Sequence, residues 1–367
     1  MRFPEFTEEW ELHRTTDYFE FKNGLNPDAK RFGHGTKFIS VMDILNNRYI
    51  TYDKVISSVQ LKENELNEFG VNYGDILFQR SSETLEDVGR ANVYLDNTTA
   101  VFGGFVIRGK KIGNFNPLFF RYLLSSPNAR KSIIVKGAGA QHFNISQDSL
   151  SKVLLNVPSI QEQEKISQFI NYIDERIDTQ NKIIEKLESL IKGLCQKLTL
   201  QGDSNTTLNE CLECYSSTLQ EKSVFEVGDF PVYGATGVCG YTNTPEVNRD
   251  SILIIKDGAS VGATYYASGK YSAIGTLNSL VAKKGYSLRY LYYCLKVFNF
   301  APYRTGLAIP HIYFKDYGKA QIWCPQFEEQ CRIASALEKV EQKIATEKSL
   351  LEQLYSQKRF LLQEMLI

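Results

Sequence analysis

Between Pro158 and Gln201 the apolar residues fall at Ile166, Ile170, Ile173, Ile177, Ile184, Leu187, Ile191, Leu194 and Leu198. Steps of four and three make a heptad seam, which predicts one long coiled-coil helix over 158–201, interrupted only at Gln180. A second stretch, 325–367, carries the same pattern. A shift of 167 positions lays Pro158 on Pro325, Glu162-Gln163 on Glu329-Gln330, Ile166 on Ile333, Ile177 on Ile344 and Leu194 on Leu361 without a gap. The interruption repeats too, since Gln180 falls on Glu347. Each copy opens with Pro and then acidic residues (Glu162 and Glu164; Glu328 and Glu329), which suit the positive end of a helix dipole. Two amphipathic helices in register predict packing on each other, with the polar seam residue setting register at some cost in stability.

The segments between the helices read as two versions of one α/β unit. In 1–157, short runs such as Lys37–Val41, Asp75–Phe78 and Ala100–Phe102 have strand character and are punctuated by Gly. Asn116-Pro117 predicts a capped helix running to Leu124, and a Gly-rich turn at 137–142 leads to a last strand near Val153–Val157. In 202–324, Leu208–Cys214 matches Thr15–Phe21, Asp250–Ile255 matches Asp75–Phe78, Ser287–Leu295 matches the Asn116 helix, and Arg304-Thr305-Gly306 matches the Gly137 turn. The expectation is an α+β chain with pseudo-twofold internal duplication. Two globular α/β domains (1–157 and 202–324) are separated by two long antiparallel coiled-coil helices (158–201 and 325–367).

Charge changes the picture. Lys and Arg number 42, as do Asp and Glu, so the formal net charge is zero. Yet Asn97–Gln147 holds Arg108, Lys110, Lys111, Arg121, Arg130, Lys131 and Lys136 and no acid. Gly258–Lys315 holds Lys270, Lys283, Lys284, Arg289, Lys296, Arg304 and Lys315, again with no acid. Two acid-free blocks in a neutral chain predict two locally positive surfaces, suited to an anionic polymer. The start of the chain has no apolar core of a secretion signal and no apolar run is long enough to span a bilayer, so the expected compartment is the cytoplasm, with the seven Cys reduced.

Other motifs fail on their own terms. Gly104–Lys111 resembles a phosphate-binding loop but lacks the Ser or Thr after Lys. Asn116-Pro117-Leu118-Phe119 lacks the second Pro of an amino-methyltransferase signature, and no Gly-rich cofactor loop follows a strand. Cys211 and Cys214 have no second pair at zinc spacing, so apolar packing is the favoured reading. His13, His34, His142 and His311 do not assemble with a nucleophile and a base.

Taken together, these residues resemble the specificity subunit of a type I restriction-modification enzyme, along essentially the entire chain. The resemblance is carried by the opening Arg2-Phe3-Pro4-Glu5-Phe6 with Trp10, Gly74–Phe78, Pro231–Gly237 with Gly240-Tyr241, and above all the twin Pro-x-x-x-Glu-Gln helix starts at Pro158 and Pro325. It implies two target recognition domains, each reading half of a split sequence in double-stranded DNA, and two helical spacers that dock methyltransferase subunits. It also implies a chain without catalytic activity or cofactor of its own. S-adenosylmethionine, ATP and Mg would belong to the modification and restriction/translocase subunits. One departure from the pattern is Ser81-Ser82 after Gln79-Arg80, where the second half has Lys256-Asp257-Gly258.

The candidate DNA-contacting residues are Arg80, Ser82, Lys136 and Gln141 in the first domain and Tyr233, Lys256, Arg304 and Thr305 in the second. Glu162, Gln163, Glu329 and Gln330 are the candidates for subunit docking. Two competing readings are a coiled-coil scaffold joining two protein-binding domains without DNA, and a self-sufficient methyltransferase fusion. The first leaves the acid-free blocks without a purpose, and the second needs a cofactor motif that this sequence does not carry.

Overall fold

A computed structural model of the chain describes residues 1–139, 142–306 and 308–366. The chain forms two compact units, one of Met1–Thr179 with Leu351–Ile367 and the other of Gln180–Leu350.

In the first unit the main sheet contains β1 (Phe19–Asn23), β2 (Ile76–Gln79), β3 (Ala91–Val93) and β4 (Val106–Lys111). The spatial order is β1-β4-β2-β3, antiparallel throughout, with Gly109 opposite both Phe21 and Ile76. All four residues of β2 are buried, which is why this strand reads as a continuous apolar run and not as an alternating one. A second four-stranded sheet pairs Phe32–Ile39 with Ser58–Val59 on one side and Ala100–Phe102 on the other, and Gly70–Val71 completes it. The predicted Lys37–Val41 strand stops at Ile39 because Ser40 caps a short helix, its hydroxyl 2.7 Å from the Asp43 carboxylate. Helix α1 (Pro117–Leu123) begins as expected: the Asn116 side chain accepts the Phe119 N–H at 2.9 Å and Pro117 occupies the first turn. Its Phe119 and Phe120 join Phe19 and Phe115 in a core of edge-to-face aromatics. Gly104–Lys111, the loop-like motif, is largely strand β4 and is paired on both sides.

In the second unit the main sheet contains β5 (Leu212–Ser216), β6 (Ser251–Ile255), β7 (Thr264–Ala267) and β8 (Leu277–Ala282). Its order, β5-β8-β6-β7, repeats that of the first sheet, again antiparallel. Helix α3 (Leu288–Val297) follows β8 as α1 follows β4, with the Ser287 side chain as its cap. A smaller sheet pairs Phe230–Gly234 with Gly237–Thr242 and Ser272–Ala273.

The two heptad stretches are helices α2 (Ile160–Thr199) and α4 (Phe327–Met365), and each contributes to both units. In the first unit Ile166, Ile170, Ile173, Ile177, Leu354 and Leu361 are all buried. In the second, Gln180 meets Glu347 while Ile191 and Cys195 share a core with Ile333 and Leu337, so the two helices run antiparallel there. No described helix is long and apolar enough to cross a membrane.

Candidate nucleic-acid interface

The loops that carry the first unit's candidate residues are built where the central strand β2 ends. Arg80 donates its backbone N–H to Phe105 O at 2.9 Å and its carbonyl accepts from Ile145 N at 3.0 Å. Ser81–Ser82 pairs with Phe143–Asn144, and Ala138 and Asn144 exchange backbone hydrogen bonds of 3.0 and 2.9 Å. The result is a closed loop pair in which Arg80, Lys136 and Asn144 line one cleft of about 460 Å³. Arg80 steadies the turn beside it by donating Nη1 to Gly104 O at 3.3 Å. The Ser82 hydroxyl accepts the Thr84 N–H at 3.2 Å. Gln141 lies outside the described residues.

The second unit repeats the construction. After β6, Lys256 donates its N–H to Thr276 O and accepts from Ile312 N, both at 2.9 Å. Thr305 and His311 exchange backbone hydrogen bonds of 2.9 and 2.8 Å, and Gly258 donates to Pro310 O at 3.0 Å. Lys256 therefore takes the place of Arg80, Thr305 that of Ala138, His311 that of Asn144, and Ile312 that of Ile145. His311 Nδ1 lies 2.6 Å from Asp257 Oδ1. Arg304 is exposed and donates Nη2 to Val261 O at 3.1 Å, bordering a cleft of about 390 Å³ with Phe298 and Phe300. Gly306, at φ 88, has the left-handed backbone this loop requires.

Lys256, Arg304 and Thr305 thus share one loop cluster, as Arg80 and Lys136 share theirs. Tyr233 does not join it. Its half-buried ring, on a strand of the small sheet, packs edge-on against the buried Tyr271 at 5.5 Å. Asn144, Asp257 and His311 also stand in these loop clusters, although none is among the sequence candidates. The signal for His311 was available, because the 167-position shift that aligns the helices also lays Asn144 on it.

The acid-free blocks are less positive at the surface than their composition predicts. Arg108 is buried, donates to Gly70 O and stacks on Phe102, and burial lowers its pKa. Arg121 donates to Arg48 O, Arg130 to Glu86 O and Val88 O, and Lys111 to Phe115 O. In the second block Lys283 donates to Asn209 O, while Arg289 and Lys296 pair with Glu338 and Glu341 of α4. Their acids lie far along the chain and their carbonyls carry no formal charge, so a local charge count shows neither. The exposed remainder is Lys110, Lys131 and Lys136 in one block and Lys270, Lys284, Arg304 and Lys315 in the other.

Three of the four docking candidates face inward. Gln163 accepts the Asn116 N–H at 3.0 Å and donates to Pro158 O at 2.9 Å. Gln330 does the same with Ser287 N at 2.8 Å and Pro325 O at 2.8 Å. Each Gln therefore ties the start of a long helix to the start of the capped helix in its own unit. Glu162 is buried against the guanidinium of Arg2 at 2.6 Å, and that pairing raises the Arg2 pKa. Glu329 alone is part-exposed, and it pairs with Arg332. Gln163, Gln330 and Glu162 are thus buried and bonded within their own unit.

Comparison with known proteins accounts for the duplicated plan. The profile of the type I restriction modification DNA specificity domain matches residues 7–189 and 209–356. The putative type I restriction enzyme MjaX specificity subunit of Methanocaldococcus jannaschii is 25% identical over 205 residues, 54% of this chain and 47% of that protein. The type I restriction enzyme EcoKI specificity subunit of Escherichia coli K12 is 25% identical over 183 residues, 49% of this chain and 39% of that protein. The matched region thus spans less than half the length of these relatives. Among solved structures, a type I restriction-modification S subunit from M. genitalium gives a TM-score of 0.62 at 18% identity, covering 96% of this chain and 95% of that one. A chain from a structure on complex assembly and conformational transition of the type I R-M system gives 0.61 at 15% identity, with 97% of both chains covered. At such identities the structural likeness shows the fold, and the two profile matches, one on each α/β segment, carry the family: this chain belongs to the type I restriction modification DNA specificity domain family.

Proposed function

We propose that this chain is the sequence-recognition subunit of a type I restriction-modification complex, each unit reading one part of a split target in double-stranded DNA. The observation that carries the reading is the equivalence of the two loop clusters. In both units a basic residue leaves the central strand (Arg80, Lys256) and is held by backbone bonds beside a second loop bearing Lys136 in one unit and Arg304 in the other. Cations fix the register on phosphates, while Asn144, Thr305 and His311 offer the polar groups that discriminate base edges. The chain supplies recognition and no chemistry. S-adenosylmethionine, ATP and Mg are handled by the methyltransferase and restriction/translocase subunits, in the cytoplasm.

Docking of those subunits falls to the outward faces of α2 and α4, where Tyr172, Leu190, Tyr355 and Phe360 stand exposed, and not to Glu162, Gln163 or Gln330. A scaffold without DNA leaves the duplicated basic loops unused. The test is to co-express the chain with its methyltransferase subunit in a methylation-free host and sequence the methylome. A split methyladenine motif that changes when residues 1–157 are exchanged for those of another family member supports the reading. A methylated motif indifferent to this chain, or none, overturns it.

A further inference from the structure

The first unit contains a cleft of about 380 Å³ that shares no lining residue with that of Arg80 and Lys136. Ile44, Leu124 and Ile134 form its apolar wall, and Arg90, Arg121 and Arg130 bring three guanidinium groups to it. Their partners are unusual. Arg121 gives its Nε to the Arg48 carbonyl, and Arg130 gives one Nη2 to Glu86 O at 2.8 Å and Val88 O at 2.7 Å. Carbonyl oxygens satisfy donors but do not cancel charge. Arg130 Nη1 is closed off from solvent and has no acceptor among the described residues. Only Arg90 has a carboxylate, Asp87 at 2.6 Å. Glu86 is the single acid lining the cleft, and among the described residues no carboxylate is in ion-pair contact with Arg121 or Arg130.

Nor does the acid behind the cleft make up the deficit. Asp174 is already shared among Lys358 at 2.6 Å, the Tyr122 hydroxyl at 2.8 Å and Arg48 at 3.7 Å. Burial lowers the pKa of Arg121 and that of Arg130, the latter to about 10, and the nearby guanidinium groups of Arg48 and Arg90 push in the same direction. A buried charge is ordinarily paired, and a planar guanidinium fork with a free N–H matches the oxygens of a phosphate.

We propose that this cleft is a phosphate-binding site, in which an oxyanion sits among the guanidinium groups of Arg90, Arg121 and Arg130 that line it. The phosphate comes from either of two sources, a free phosphorylated small molecule whose organic part lies on the Ile44–Leu124–Ile134 wall, or the backbone of a nucleic acid. The site does not rest on the DNA reading, since the charge imbalance exists in the chain itself.

The test is thermal unfolding of the full chain in inorganic phosphate against chloride at matched ionic strength. Phosphate is expected to raise the midpoint saturably in the wild type. Arg90→Gln, which gives up only the surface pairing with Asp87, is expected to weaken the apparent Kd about tenfold, the loss of one charge-assisted contact. Arg130→Gln is expected to abolish the response. If Arg130→Gln does not fold, the Arg90→Gln titration decides alone. A wild-type midpoint equal in phosphate and chloride, or a response retained undiminished in Arg90→Gln, overturns the proposal. A second arm measures duplex DNA binding by the chain with its methyltransferase at constant ionic strength. Competition by phosphate, lost in Arg90→Gln, assigns the site to the backbone. Indifference to phosphate, with the midpoint shift intact, assigns it to a free oxyanion.

Discussion

Gln180 donates its side-chain amide to the backbone carbonyl of Glu347 at 3.0 Å, and the two residues are 167 positions apart, the shift that relates the two helices. The one polar interruption of each seam is therefore buried against the other. The same amide also meets the Glu347 carboxylate, whose pKa is held below its usual range by Lys343 and Gln180. Any slip of one helix along the other would face each polar group with an isoleucine or leucine, so this pair sets the register. Glu347→Leu alone is expected to lower the urea midpoint by taking the carboxylate from the Gln180 amide, which keeps only the backbone carbonyl at 347, and adding Gln180→Leu to recover most of the loss. A double variant no more stable than the single one would show that the pair is not coupled.

Gln163 and Gln330 are expected to behave as structural residues. Gln163→Leu leaves the Asn116 N–H and the Pro158 carbonyl unpaired in the interior, and Gln330→Leu does the same to Ser287 and Pro325. Each substitution should cost about 2–4 kcal/mol in denaturant unfolding, from two buried groups at about 1–2 kcal/mol each. A docking residue would instead weaken methyltransferase assembly without moving the unfolding midpoint.

Asp174 of α2 accepts from Tyr122 of α1 at 2.8 Å, and Glu341 of α4 accepts from Tyr293 of α3 at 2.8 Å, so both units fasten helix to helix the same way. In the first unit the carboxylate also compensates Lys358, whose pKa burial lowers. Asp174→Asn is expected to cost about 3 kcal/mol because the lysine is left buried and unpaired. Lys358→Met added to it should restore part of that loss, measured by the same unfolding curves.

Arg80→Ala and Lys256→Ala should each weaken binding of the assembled methyltransferase to duplex DNA and flatten the salt dependence of log K by about one. Tyr233→Ala is expected to behave differently. Its ring supports the small sheet, so it should lower the unfolding midpoint and leave the salt slope unchanged. Filter binding from low to high salt separates the two behaviours.

Much of the architecture was legible. The heptads around Ile166 and Ile333, the Asn116 and Ser287 caps and the duplication itself are local or periodic signals, and each appears in the structure as a helix, a cap or a repeated sheet order. The candidate site was legible only in part. Arg80 with Lys136, and Lys256 with Arg304 and Thr305, are candidates named from loop position and charge, and the structure brings each set into one loop cluster. The inward bonds of Gln163 and Gln330 were not legible, because a motif shows which residues recur and not which neighbours they face. Arg108, Arg121 and Arg130 counted as surface charge, although their acceptors are backbone carbonyls. The Asp257–His311 contact joins residues 54 positions apart, beyond any local pattern.

By itself, then, the sequence determined the two long helices, their register and the twofold repetition of the α/β plan, because helix period, capping and repeat spacing act between residues close along the chain or at one constant shift. Only the tertiary structure decided which charges face solvent, which glutamines bind the helices to their own domains and which loops converge. Those outcomes depend on long-range packing, where a buried polar group takes whatever partner the fold brings within hydrogen-bond distance.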